Sequence, residues 1–79
     1  MISPSDIVRG NILILNHPDN NGAEFKIHRV DSAYRFIVLC IKTMNDTFHR
    51  INETYGSYPL ENYTLKVLTL EEQINAIQV

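Results

Sequence analysis

The sequence predicts one small, mainly β domain with a short C-terminal α-helix. Three observations lead there. The first is the central run Tyr34 to Met44, YRFIVLCIKTM, which is rich in β-branched and aromatic residues and free of Gly and Pro. The second is a set of shorter apolar segments bounded by turn formers. The third is the stretch Thr69-Leu70-Glu71-Glu72 near the end, which matches a capping box.

In the central run Tyr34, Phe36, Val38, Cys40 and Met44 share one face of a pleat. Ile37, Leu39 and Ile41 share the other, so both faces require cover. A buried helix is the rival reading, because periodicity alone does not separate the two over a run this short. Eleven residues exceed the usual strand, which predicts a bend or bulge.

At the N-terminus, Ser3-Pro4-Ser5-Asp6 signals a turn, with Ser5 or Asp6 capping one helical turn through Val8 that Gly10 ends. Residues 11–16 (NILILN) read as a short strand. The connection 17–22 (HPDNNG) is dense in turn formers, and Asn21-Gly22 tolerates positive φ. In the strand 23–30, Phe25 and Ile27 face one side, Glu24, Lys26 and His28 the other. Val30 falls out of phase, which predicts a bulge near His28–Arg29. Thr47 to Ile51 reads as a return strand. Helix is the alternative over 46–55, since Phe48, Ile51 and Tyr55 also stand at helical spacing. Leu60 to Tyr63 reads as one helical turn and Leu65 to Leu68 as a last strand. The helix over about 70–78 carries Leu70, Ile74 and Ile77 as one stripe, and is too short to stand without docking.

Seventy-nine residues make a single domain, 1–79. A net charge of −2, with seven Lys and Arg scattered along the chain, offers no basic stripe for a nucleic-acid backbone. No apolar run approaches the length of a membrane span, and no secretory leader is visible, so a cytoplasmic setting is expected. Cys40 is the only cysteine and lies among hydrophobes, which predicts a buried, inert thiol. One Cys and three scattered His give no metal spacing, and no motif requires a cofactor.

Catalysis has no visible machinery. His17, His28 and His49 are acid–base candidates by type, but no orienting partner is implied for any of them. His17 and His28 read as surface residues. Glu71-Glu72 is explained by the capping box. Nucleotide-binding loops and nucleophile elbows are absent. The chain therefore reads as non-enzymatic.

A binding surface is the better expectation. Tyr55, Tyr58 and Tyr63 fall within nine residues, close to Arg50, Asn52 and Asn62, a composition enriched at recognition surfaces. These six are the candidate binding residues. The bland reading is that two of the three tyrosines close the small core.

Five short strands with one helical turn before the last resembles the order of a Src-homology-3-like barrel. Gly56-Ser57-Tyr58-Pro59-Leu60-Glu61-Asn62-Tyr63-Thr64 resembles that family's G-x-[FY]-P-x-N-Y-[VT] segment with one residue inserted. The resemblance implies a small five-stranded barrel, with Pro59, Asn62 and Tyr63 in the positions that line the family's peptide groove. The family's acidic-aromatic opening motif and its groove Trp are missing, so the resemblance bears on shape more than on proline-rich ligands. In organisation the chain is also similar to short barrel proteins of phages and mobile elements.

The function expected from all this is a non-catalytic small binding protein, such as a phage or mobile-element accessory factor that binds and modulates a host protein. The alternative is an oligomer that sequesters a small anionic, nucleotide-like ligand at a subunit interface. A nucleic-acid-binding barrel comes last. A homo-oligomer, most simply a dimer, is expected, because a single barrel interior covers only one face of a strand that is apolar on both.

Overall fold

In the computed structural model, which describes residues 2–67 and Ile74, the central run forms the strand β3, Arg35–Lys42. The other strands are β1 (Ile12–Leu15), β2 (Glu24–Ser32), β4 (Thr54–Gly56) and β5 (Tyr63–Leu65). All pair antiparallel in one sheet of order β4-β3-β2-β1-β5. Short 3-10 turns occupy Pro4–Asp6 and Leu60–Asn62. Of the expected helix over about 70–78 only Ile74 is described, helical and exposed; the Thr69 and Glu72 capping box lies outside the described residues.

The sheet is strongly curled. β3 and β5 stand three places apart in the strand order, which in a flat sheet is about 14 Å at about 4.8 Å per strand. Yet the rings of Phe36 on β3 and Tyr63 on β5 lie 6.1 Å apart. The curl encloses a core of Leu13, Leu15, Phe25, Ile27, Phe36, Val38, Cys40 and Tyr63, closed by Ile2 and Ile7 from the N-terminal segment. The opposite face is apolar too: Ile12, Ile14, Ile37, Leu39 and Ile41 are half-buried.

The pairing of β2 with β3 slips between Ile27 and Arg29, so the phase break in the sequence is a bulge. Gly22 adopts φ +92°, as the turn before β2 requires. Cys40 is fully buried, and burial pushes its thiol pKa up.

Four boundaries differ from the sequence reading. The central strand is shorter, because Tyr34 belongs to the β2–β3 turn and Met44 to the following loop; both are exposed. The N-terminal turn starts one residue after Ser3. Pro4 fits a first turn, and the Asp6 carboxylate accepts from the Ser3 N–H at 2.9 Å. The return strand does not begin at Thr47. Asn45 instead folds the chain into one turn: its carbonyl accepts from Phe48 and His49 N–H, and its side chain from Thr47 N–H. This local bonding competes with strand pairing and explains the helical spacing, while β4 waits until Thr54. Finally, β5 starts at Tyr63, directly after the 3-10 turn, where Tyr63, Thr64 and Leu65 meet Leu15, Ile14 and Leu13.

Candidate functional site

The eleven residues between Lys42 and Thr54 form the longest connection between consecutive described strands. They are held in place from below. Asn20, on the β1–β2 loop, is 1% exposed and lies under them. Its amide oxygen accepts from Met44 N–H at 2.9 Å. That bond fixes the amide's orientation, so both protons of its nitrogen point the other way. They reach Thr43 Oγ1 at 3.2 Å and His49 Nδ1 at 3.0 Å. Thr43 Oγ1 in turn donates to the His49 carbonyl at 2.9 Å. One buried amide therefore ties both ends of the Thr43–His49 segment to a different loop.

This arrangement dictates the state of His49. An Nδ1 that accepts from an amide carries no proton, so His49 is neutral, with the proton on Nε2. Burial lowers its pKa below the ordinary value of 6.5, against an opposing pull from Asp19. Its ring sits among Phe25, Tyr55 and Tyr58, at centroid distances of 4.9, 4.7 and 5.8 Å. The two nearer contacts are edge-on, a favoured geometry for aromatic rings.

The six candidate binding residues fare differently. Arg50 and Asn52 are exposed, and Asn52 takes φ +69°, a conformation Asn tolerates in tight turns. Tyr55 braces the loop: its hydroxyl accepts from Arg50 N–H at 2.7 Å and donates to Glu53 Oε2 at 2.9 Å. Tyr58 is half-buried and donates to Asp19 Oδ2 at 3.1 Å. Burial and the Asp19 carboxylate both raise its pKa. Asn62 is half-buried, and its carbonyl accepts from Asn16 N–H at 2.7 Å. Tyr63 is fully buried; its hydroxyl accepts from Tyr58 N–H at 2.8 Å, and its pKa is pushed up to about 12 by burial. The tyrosine cluster is thus mainly framework, and Tyr63 is core rather than surface.

Of the groove positions implied by the resemblance, only Pro59 lines an open cleft. That cleft, of about 650 Å³, also takes in Ile2, Pro4, Tyr34, Tyr58 and Leu60. His17 is not simply solvated. Its Nδ1 accepts from Asp19 N–H at 3.1 Å, and its ring packs edge-on against Tyr58 at 4.9 Å. With that lone pair engaged, the 3.4 Å approach of Nδ1 to Asp19 Oδ2 is not an ion pair.

Among polar neighbours the loop displays three large apolar side chains. Met44, Phe48 and Ile51 are 62%, 49% and 53% exposed, with Arg50 between the last two. A depression of about 560 Å³ runs between Thr43, Asp46, Thr47, Arg50 and Ile51. Sequence reasoning singled out Arg50 and missed the three apolar side chains. No local signal marked them: Phe48 and Ile51 read equally as strand or helix formers, and it is the Asn45 turn that leaves them on a loop.

Among the described residues no group of three or more His, Cys, Asp or Glu is placed to hold a metal, and no helix is long and apolar enough to cross a membrane. Comparison with protein-family models, curated proteins and solved structures finds no match.

Proposed function

We propose that this chain is a non-catalytic binding protein that engages a protein partner through the β3–β4 loop. The observation that carries the reading is the exposure of Met44, Phe48 and Ile51 beside Arg50, on a loop anchored by a buried hydrogen-bond network. A rigid loop that presents large apolar side chains and an Arg has the composition of an interface core, and its anchoring reduces the entropy lost on binding. The expected test is capture of a partner by the wild type and by Phe48→Ser/Ile51→Ser. Both positions are exposed, so the substitutions should abolish capture and leave melting nearly unchanged.

The finer architecture belongs to the same proposal. The strand order, the 3-10 turn before β5 and the Phe36–Tyr63 contact support closure of the sheet into a Src-homology-3-like barrel. An accessory role against a host protein, from a phage or mobile element, rests on likeness of organisation alone. Self-association is also part of this reading. The half-buried Ile12, Ile14, Ile37 and Ile41 support a second copy against the outer face. Light scattering at micromolar concentration is expected to give twice 9.1 kDa; a mass near 9.1 kDa contradicts the dimer.

A further inference from the structure

A second surface, away from the β3–β4 loop, has a different chemistry. Arg9, Lys26 and His28 line one cleft of about 400 Å³ with Gly10, Ile27 and Leu39. No carboxylate lines it among the described residues. Elsewhere three basic residues meet acids: Arg29 meets Asp31, and Lys42 and Lys66 both meet Glu24, while among the described residues Arg35 and Arg50 stand apart as single charges outside any shared cleft with another basic residue. No such partner is found for Arg9, Lys26 or His28 among the described residues. In a chain of net charge −2 such a local excess of donors is not a general property of the surface.

The backbone beneath is well fixed. Gly10 N–H donates to the Ile27 carbonyl and Ile27 N–H to the Asn11 carbonyl, both at 2.9 Å. This places Arg9 beside β2. Lys26 and His28 are two residues apart on β2, and His28 is the residue left without a β3 partner at the bulge. Leu39, the β3 partner of Lys26, supplies an apolar floor.

We infer that this cleft binds a small phosphorylated molecule, no larger than a mononucleotide. Its phosphoryl group sits among Arg9, Lys26 and His28, and its less polar remainder lies over Leu39. A guanidinium from the segment before β1, with an ammonium and an imidazole from β2, suit a tetrahedral group with three acceptor oxygens. The volume is at the small end of ligand sites. A single cleft, rather than a stripe, does not track a nucleic-acid backbone.

The test is an amide NMR titration at constant ionic strength, with inorganic phosphate and with AMP as probes. Saturable shifts are expected at Gly10, Lys26 and His28 with both. Arg9→Glu and Lys26→Glu should each weaken binding by about tenfold or more, as loss of a charge-assisted hydrogen bond does. Arg35→Glu, outside the cleft, should leave it unchanged. Shifts that do not saturate, that scatter over all basic residues, or that survive Lys26→Glu overturn the site. Binding of phosphate without AMP overturns the assignment to a phosphate ester. Neither probe involves Phe48 or Ile51, so failure here leaves the protein-binding reading standing.

Discussion

Asn20→Ala is expected to destabilise the fold by about 3 kcal/mol, because it leaves the Met44 N–H and the His49 Nδ1 without the partners the buried amide supplied. In a domain of this size that lowers the melting temperature by more than about 10 °C. Asn20→Asp is the sharper variant. A carboxylate has no proton to give, so it faces the His49 lone pair acceptor to acceptor until the ring takes up a proton. The sign of the pH dependence should then reverse. In the wild type the folded-state pKa of His49 lies below its ordinary 6.5. The unfolded chain therefore binds the proton more readily, and the His49 contribution is fully present above pH 6.5 and lost as pH falls through the folded-state value. In Asn20→Asp the folded-state pKa of His49 is raised, so its contribution grows as pH falls from neutrality. Thermal melts of both proteins between pH 7 and 5 measure the difference. Parallel trends in the two would show that Asn20 and His49 are not coupled.

Tyr63→Ala is the other large effect. The side chain is fully buried, in contact with Phe36 and hydrogen-bonded to the Tyr58 backbone. Its removal is expected to cost about 3–5 kcal/mol, a large share of the about 4–12 kcal/mol that a chain of this length possesses. Tyr63→Phe keeps the ring and strands only the Tyr58 N–H, at a cost of about 1–2 kcal/mol. Urea denaturation resolves the two. A Tyr63 that belonged to an exposed peptide groove would tolerate either change, and near-wild-type stability of Tyr63→Ala would restore that reading.

The β character, the β2 bulge, the positive φ at Gly22 and the turn before the last strand were legible because each rests on local chemistry: side-chain alternation, its interruption, and turn formers in sequence. The division of β3 into two apolar faces was legible for the same reason, though which of them turns inward was not. The Asn20–His49 pair was not, because a bond between residues 29 apart leaves no local trace and neither residue type advertises burial. The loop after β3 was misread as strand because Phe48 and Ile51 are strand formers; the Asn45 turn outweighs their preference. Tyr63 was assigned to a surface for its company with Asn62 and Tyr58. Its pairing with Leu15 on β1 directs it inward, and only the tertiary fold shows that.

The proposed function requires that binding through the β3–β4 loop be separable from the fold that holds it. The most direct measurement compares capture of a partner by wild type and by Phe48→Ser/Ile51→Ser, with melting of both proteins followed in parallel. The double variant is expected to lose capture while melting within a few degrees of the wild type. Undiminished capture, or loss of capture only together with loss of fold, would contradict it.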